Sequence, residues 1–287
     1  MDIKSIKSKF PIFKNKVNGK SLIYLDSANS SQKPKTVIDR ISKFYSKEFS
    51  NIGRSVHSLA VTATNRFEET RDMMQKFINA KHREEIIFTK NATEAINLIA
   101  STYGDKFIKE GDEIIITELE HHANYVPWHF IRQKKRAIIK FAKCNDKGEV
   151  EIDEIKKLIT NKTKIIAITH LSNVTGAIMP IKKIVDLANK KKIPVLVDGC
   201  QGAPHLKIDM QELGCDFYAI SCHKMYGPTG VGILYAKKKW LDVLPPYQGG
   251  GGMIEEVKKD HITFPGSPTK YEAGTLQTAE VVGFSES

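Results

Sequence analysis

A lysine follows an apolar strand-like segment, a position where lysine is costly to bury. Residues 216–220 are largely apolar, and Lys224 comes shortly after them in a segment that ends in a glycine-rich bend. A desolvated lysine amine is a nucleophile that can form a Schiff base with a carbonyl compound. An isolated lysine in such a place is more often a loop residue that reaches solvent. Other residues of the chain are therefore needed to distinguish a lysine with a covalent role from an ordinary surface lysine.

An aspartate at the end of a second apolar segment favours the covalent interpretation. Residues 193–197 form that segment, and Asp198 follows it directly. Pyridoxal 5'-phosphate requires a lysine that carries its aldehyde and a carboxylate that keeps its pyridine nitrogen protonated, so that the ring can draw electrons. The pairing of Asp198 with Lys224 therefore predicts a site for this cofactor.

The start of a helix offers a second element of such a site. Asn91 and Thr93 stand where a strand-like segment gives way to a helical one. Free backbone amides and the helix dipole favour an anion at a helix start. Alone, this pattern more commonly marks a helix cap. From these residues alone, an anion site and an ordinary helix cap both stay open.

Several short motifs along the chain extend this pattern. They are Leu25-Asp26-Ser27-Ala28, Gln32-Lys33-Pro34, Glu120-His121-His122-Ala123-Asn124, Val126-Pro127-Trp128, Asp198-Gly199, His223-Lys224-Met225-Tyr226-Gly227-Pro228-Thr229-Gly230 and Glu272-Ala273-Gly274-Thr275. With them the chain resembles the class V aminotransferase family of fold-type I pyridoxal phosphate enzymes. Within that family it is most similar to the cysteine desulfurases of the Suf type. The resemblance runs from about residue 10 to the last residue.

The resemblance implies roles for individual residues. Lys224 and His121 are the catalytic pair: the lysine carries the cofactor and removes the Cα proton, and the histidine stacks on the pyridoxal ring and moves protons. The residues implied in cofactor binding are Ala92, Thr93, His121, Asn173, Asp198, Gln201, Ser221, His223, Lys224 and Thr275. Among them Ala92, Thr93, Ser221 and His223 surround the phosphate, and Asn173 and Gln201 bind the ring hydroxyl oxygen. Thr275 reaches the phosphate of a partner subunit, which implies a homodimer.

Strands and helices alternate along the chain and must position these residues. The predicted strands are 22–26, 85–88, 113–116, 137–142, 164–168, 195–197, 217–220 and 232–235. The predicted helices are 35–49, 61–80, 92–107, 122–135, 152–159 and 181–191, with Pro127 suggesting a delayed start for the fourth. Continuous apolar strands separated by helices predict an α/β fold with a mostly parallel central sheet covered by helices. Ligands of such sheets sit at the carboxyl ends of the strands, where Asp198, His121 and Lys224 fall.

The composition argues against several classes of protein, namely specific nucleic-acid-binding, membrane-spanning, secreted and zinc-binding proteins. The 287 residues carry a net charge of +11, but the lysines are scattered over the whole chain, so we expect no specific binding of nucleic acid. No apolar run is long enough to span a membrane, and residues 1–9 lack the apolar core of a secretory signal, so we expect a cytoplasmic protein. The four cysteines match no zinc signature, and we expect free thiols and no metal site.

The resemblance also implies a domain organisation. We expect an N-terminal arm over residues 1–20, a cofactor-binding large domain over 21–265, and the start of a connector over 266–287. Family members carry a small C-terminal domain that supplies the persulfide cysteine and the arginine that grips the substrate carboxylate. None of the four cysteines here matches the persulfide position, and Cys200 and Cys222 are interpreted as structural. We therefore expect a fragment without the small domain that is inactive alone.

The function implied for the parent enzyme is that of a cysteine desulfurase. L-cysteine is converted to L-alanine, and its sulfur passes as a persulfide to an acceptor protein for iron–sulfur cluster assembly. Two alternatives stay open at this point. One is another class V enzyme, such as a selenocysteine lyase or an aminotransferase. The other is a non-catalytic module for cofactor binding or dimerisation.

Overall fold

A seven-stranded sheet forms the centre of the computed structural model, which describes residues 2–287. The strands are β1 (Lys16–Val17), β2 (Lys20–Ser21), β3 (Ile86–Thr89), β4 (Glu113–Thr117), β5 (Ile138–Ala142), β6 (Thr163–Thr169), β7 (Val195–Asp198), β8 (Phe217–Ser221), β9 (Gly232–Ala236), β10 (Glu256–Lys258) and β11 (His261–Thr263). The central sheet has the order β3-β9-β8-β7-β6-β4-β5. The pairs β1–β2 and β10–β11 form two separate antiparallel hairpins.

Helices connect the strands and cover the sheet. They are α1 (Ile3–Ser8), α2 (Lys35–Lys43), α3 (Ser58–Phe77), α4 (Ala92–Phe107), α5 (Val126–Lys135), α6 (Ile152–Leu158), α7 (Ile181–Asn189), α8 (Gly202–His205), α9 (Met210–Leu213), α10 (Lys238–Leu241) and α11 (Thr278–Phe284). A π-helical turn, Phe44–Glu48, extends α2, and 3₁₀ turns lie at Pro11–Lys14, Arg83–Glu85, His122–Asn124, Cys222–Lys224 and Thr269–Tyr271. No helix among the described residues is long and apolar enough to cross a membrane.

The predicted parallel arrangement is confirmed for most of the sheet. Strands β8, β7, β6, β4 and β5 run parallel to one another. Strand β9 is the exception, because it lies antiparallel to both β3 and β8. Only the short segment from Ser221 to Gly232 joins β8 to β9, and a parallel crossover needs a dozen or more residues. The same segment contains Lys224.

Alternate residues of the buried strands face two separate cores. Ile115, Ile166 and Val197 pack on one face of the sheet, whereas Ile116, Ala167 and Leu196 pack on the other. Because both faces are covered by helices, the strands are apolar at successive positions rather than at every second one. This burial explains the continuous apolar segments of the sequence.

The predicted elements differ from the structure in one strand, at several ends and in short elements that were not predicted, including β1, β2, β10, β11, α1 and α8 to α10. Helix α4 has the predicted bounds, and α5 begins at Val126 after a 3₁₀ turn, as Pro127 suggested. The predicted strand over residues 22–26 is wrong. That segment has no strand partner, and Ile23 and Leu25 are 78% and 92% exposed. It continues instead into the turn before α2, where the Tyr24 hydroxyl donates to the carbonyl of Ser30 at 2.6 Å.

Candidate active site

A cavity of about 230 Å³ lies at the carboxyl ends of β6, β7 and β8 and at the start of α4. The residues that line it are Asn29, Asn91, Ala92, Thr93, His121, Ala123, Thr169, Leu171, Asn173, Asp198, Cys200, Gln201, Ser221, His223 and Lys224. All of the residues predicted from the sequence are therefore brought together here, except Thr275. The location agrees with the rule that ligands of parallel α/β sheets sit at the carboxyl ends of the strands.

Lys224 is carried by the 3₁₀ turn that follows β8, and a distant segment braces this turn. The carbonyl of His223 accepts hydrogen bonds from the Ser31 amide at 3.1 Å, the Ser31 hydroxyl at 3.0 Å and the Lys33 ammonium at 2.8 Å. The Tyr226 amide donates to the Ser31 hydroxyl at 2.8 Å. Burial lowers the pKa of Lys33 to about 8. The backbone on both sides of Lys224 is therefore fixed by residues 31–33.

Asp198 is the last residue of β7 and is almost fully buried. Its carboxylate accepts a hydrogen bond from the Cys200 amide at 3.0 Å. The turn that follows packs directly on the Tyr218 ring, since a Cβ atom added to Gly199 would stand 1.8 Å from Tyr218 Cε1. Only glycine fits at this position without a shift of the ring. The close approach holds Asp198 at the rim of the cavity.

The start of α4 forms the opposite wall of the cavity. Asn91 caps the helix, because its side-chain oxygen accepts from the Glu94 amide at 2.8 Å. The Ala92 amide donates to the Ser221 hydroxyl at 2.9 Å, which joins the helix start to the end of β8. The amides of the first helical turn have no intrahelical acceptors. The Ala92 amide is engaged by Ser221 and the Glu94 amide by Asn91, and Thr93 stands between them at the wall of the cavity.

The remaining predicted residues differ in exposure. His121 is exposed, and its Nδ1 accepts from the Ala123 amide at 3.1 Å. Asn173 is exposed as well, whereas Gln201 is buried and donates from Nε2 to the Ala28 carbonyl at 2.5 Å. His223 Nδ1 lies 3.1 Å from the Ser30 hydroxyl, and burial together with the charges of Lys224 and Lys33 lowers its pKa.

Thr275 lines a second cavity of about 360 Å³ together with Arg54, Gly251 and Gly252. The glycine-rich loop lies so close to Arg54 that a Cβ atom on Gly251 would stand 2.7 Å from the guanidinium Nη2. Arg54 belongs to a stretch for which the sequence indicated no role. Within this chain Thr275 is thus separate from the other predicted residues.

Some residues of the site were missed by sequence reasoning. Asn29 and Thr169 line the cavity but were assigned no role, and Lys33 and Glu120 lie in motifs whose contribution was not specified. Glu120 could have been noticed because it directly precedes His121, and Lys33 because it is a lysine within one of the family motifs. Neither signal indicates which distant atoms these side chains contact.

The four free cysteines differ in exposure. Cys222 and Cys215 are buried, Cys200 is partly buried in the wall of the cavity, and Cys144 is exposed outside it. Burial and the charge of Asp198 raise the pKa of the Cys200 thiol, and burial and the neighbouring Cys200 raise that of Cys222. Across residues 2–287 no three His, Cys, Asp or Glu side chains are arranged to hold a metal ion.

Comparison with known proteins relates this arrangement to one family. Residues 23–287 match the class V aminotransferase family. A cysteine desulfurase of Wigglesworthia glossinidia brevipalpis is 47% identical over 287 residues, which are 99% of this chain and 70% of that protein. A cysteine desulfurase of Synechococcus elongatus is 44% identical over 98% of this chain and 45% of its own length. The chain spans between 42% and 70% of the length of the curated relatives it matches.

Solved structures show the same architecture. The crystal structure of a cysteine desulfurase from Escherichia coli matches all of this chain with a TM-score of 0.91 and 37% identity, and the match covers 70% of that chain. The apo structure of a cysteine desulfurase from Thermococcus onnurineus matches with a TM-score of 0.93 and 33% identity, again over 70% of its length. These matches confirm the predicted α/β fold with its mostly parallel sheet.

Proposed function

The chain belongs to the class V aminotransferase family, and within it to the cysteine desulfurases, and we propose that it binds pyridoxal 5'-phosphate and acts on L-cysteine. The observation that carries the proposal is the convergence of Lys224, Asp198 and the start of α4 on one cavity. A lysine, a buried carboxylate and a helix start are the three groups that this cofactor needs. The residues present therefore fit the group that the family uses.

Each part of the cavity has a task in this proposal. Lys224 would hold the aldehyde carbon, Asp198 the protonated ring nitrogen, and Thr93, Ser221 and His223 the phosphate. When bound, the cofactor supplies an electron sink for the negative charge that develops at the substrate Cα. The Lys224 amine, once free, is the base that takes the Cα proton. Gln201 and Asn173 offer amide groups to the ring hydroxyl oxygen without adding a charge.

His121 is the residue proposed to move a proton at the substrate. Because its Nδ1 accepts from the Ala123 amide, the neutral imidazole carries its proton on Nε2. The Nε2 atom is therefore the one that can donate a proton to a substrate, and the imidazole ring as a whole would stack over the cofactor. The exposure of His121 at the cavity leaves this nitrogen accessible.

The substrate, the assembly and the partner are inferred from the family. Relatives that match nearly the whole chain are cysteine desulfurases, and this supports L-cysteine as substrate and L-alanine as product. The family commonly works as a dimer, and we propose a homodimer in which Thr275 serves the partner's site. The sulfur would pass as a persulfide to an acceptor protein.

Reduction with borohydride tests the cofactor assignment. The purified chain is incubated with pyridoxal 5'-phosphate, reduced, digested and mapped, and the cofactor mass is expected on Lys224. Lys33 is the internal control, because it is a second partly buried lysine whose pKa is lowered to about 8 and which contacts the same loop. Label on Lys33 alone, or none on folded protein, contradicts the proposal. The variant Lys224→Arg should lose the label and Lys33→Arg should keep it.

A further inference from the structure

The carboxyl group of Glu120 joins three elements beside the candidate site. Its Oε1 accepts from the Thr117 hydroxyl at 2.6 Å and from the Thr169 amide at 2.9 Å. Its Oε2 accepts from the Asn124 amide group at 2.6 Å. Asn124 is itself held by Trp128, whose indole N–H donates to the Asn124 side-chain oxygen at 3.3 Å. One carboxyl group thus links the end of β4, the end of β6 and the turn before α5.

Two of these links lead directly to proposed site residues. His121 follows Glu120 in the chain and begins the 3₁₀ turn that contains Asn124. Thr169 lines the cavity and is the register partner of Asp198 in the β6–β7 pair. Displacement of the Glu120 carboxyl would therefore move both the histidine and the strand end beside the aspartate.

The charge of Glu120 is not compensated by a cation. No ion pair reaches it from residues 2–287, and its three hydrogen-bond partners Thr117, Asn124 and Thr169 do not titrate in the neutral range. Burial, with a smaller contribution from the charge of Asp198, raises the pKa of Glu120 to about 8, although the three hydrogen bonds act to lower the pKa. The other titratable groups nearby are the adjacent His121 and His122. A carboxyl group that only braced the fold would more commonly have a cationic partner.

We propose that Glu120 is a positioning residue for the candidate active site, which sets the place of His121 and the charge environment of Asp198. The inference rests on the proposed function, since it concerns how the cofactor is held. Below about pH 8 a protonated Glu120 leaves Asp198 as the single anion at this edge. Above that pH Glu120 is ionised, and its negative charge beside Asp198 favours the protonated form of the cationic group that Asp198 contacts, which is proposed to be the ring nitrogen of the cofactor.

Glu113, at the other end of β4, provides a control. It is a buried carboxylate at the start of β4, whereas Glu120 is half-buried just after the end of that strand, and Glu113 accepts from Thr160 at 2.6 Å, from Thr163 at 3.2 Å and from Lys140 at 2.7 Å. The substitutions Glu120→Gln and Glu113→Gln each replace a carboxyl group that accepts three contacts by an amide of the same shape. Only the first is next to the cavity.

The experiment compares pyridoxal 5'-phosphate binding to wild type, E120Q and E113Q, together with the absorbance of the bound cofactor between pH 6 and 9.5. We expect E120Q to weaken cofactor binding about tenfold, because the NH2 group of glutamine cannot accept the hydrogen bonds that one carboxyl oxygen of Glu120 accepts, and the turn of His121 or the end of β6 must shift. We expect the pH-dependent change in cofactor absorbance to occur at lower pH in E120Q than in wild type, with the curves diverging above about pH 8. E113Q should match wild type in both measurements.

The possible outcomes are distinct. Equal binding and superimposable pH curves for E120Q and E113Q would show that Glu120 has a structural role only, even if both lower the thermal stability. If E120Q does not fold, Glu120→Asp keeps the titrating group but shortens its reach, and unchanged affinity in E120D would equally contradict the inference. Failure of wild type itself to bind the cofactor would contradict the proposed function rather than this inference.

Discussion

His170 and Tyr218 form a buried pair beneath the turn that carries Asp198. The Tyr218 hydroxyl lies 2.8 Å from His170 Nδ1, and the His170 amide donates to the Asp198 carbonyl at 2.9 Å. Burial lowers the pKa of His170 to about 4, so the imidazole is neutral in the folded protein at neutral pH. Together with Gly199, whose missing Cβ makes room for the ring, this pair determines where the end of β7 lies. Asp198, the residue proposed to hold the ring nitrogen, is thus kept in place by groups that take no part in the proposed chemistry.

The His170 imidazole predicts a loss of stability in mild acid. In the unfolded chain the group titrates near its usual pKa of about 6.5, whereas the folded protein resists protonation down to pH 4. As the pH falls through this window the unfolded state gains a proton that the folded state does not, so the free energy of unfolding falls by about 3 kcal/mol. Urea unfolding at pH 7.5, 5.5 and 4.5 measures this fall.

The variant His170→Gln isolates the contribution of this group. We expect it to be less stable than wild type at pH 7.5, but its stability should decline less on acidification, because glutamine does not titrate. His205→Gln serves as the control at an exposed histidine and should follow the wild-type pH dependence. A decline in H170Q as steep as in wild type would show that other groups cause the acid sensitivity.

At the scale of elements, the sequence predicted those features that depend on neighbouring residues, such as helix caps and the spacing of apolar residues. Helix α4 has its predicted bounds because Asn91 caps it and apolar residues repeat at helical spacing along it. The alternation of apolar strands and helices predicted the parallel sheet for the same kind of reason. The segment 22–26 reads as a strand by composition, but it finds no partner edge, and pairing is not encoded in a single segment.

Contacts between distant elements could not be predicted in the same way. The partners of Glu120 come from three different elements, and the donors to the His223 carbonyl come from residues more than 180 positions away in the chain. The predicted site residues, apart from Thr275, line one cavity because most of them stand near the ends of neighbouring strands or at a helix start, and their roles stay predictions. The residues that hold them in place were not predicted, because their role exists only in the folded chain.

A buried ion pair fastens the loop of Thr275 to helix α3. The Arg71 guanidinium is 1% exposed and binds both oxygens of Glu272 at 2.9 Å. It also donates to the Ile86 carbonyl at 2.6 Å, and Glu272 accepts from the Phe88 amide at 2.7 Å. Since Glu272 begins the motif that ends in Thr275, this pair determines where the loop can lie.

Removal of one partner should therefore be costly. We expect Arg71→Met to reduce the free energy of unfolding by about 3–5 kcal/mol, because the Glu272 carboxylate stays buried without its cation. Arg66→Met on the same helix is the control, since Arg66 forms an exposed pair with Glu69 and should lose less than about 1 kcal/mol. Denaturant unfolding measures the free energy of unfolding of both variants. Similar reductions in the two would mean that the buried pair contributes no more to stability than a surface pair.

At the scale of the whole molecule, cofactor binding and sulfur transfer make different demands. Binding needs the groups that converge on the cavity, and the described residues supply them. Sulfur transfer also needs a thiolate near the substrate sulfur. Cys200 lines the cavity, but burial and Asp198 hold its thiol in the protonated form, and Cys222 is fully buried. Cys144 is exposed but lies outside the cavity, where its thiol contacts Glu118 at 3.5 Å.

We therefore expect the 287-residue chain to bind pyridoxal 5'-phosphate but to release little sulfide from L-cysteine. Without a positioned thiolate the rate should be at least about 10²-fold below that of the Escherichia coli cysteine desulfurase, since a reacting group displaced by about 1 Å already costs that much. Sulfide release in the presence of dithiothreitol measures both proteins under the same conditions. Cys200→Ser and Cys222→Ser are the matched variants, and neither should change the residual rate, because a protonated, buried thiol does not act as the nucleophile. A rate comparable to that of the Escherichia coli enzyme, abolished by either substitution, would show that one of these cysteines accepts the sulfur and that its burial is relieved when the substrate binds.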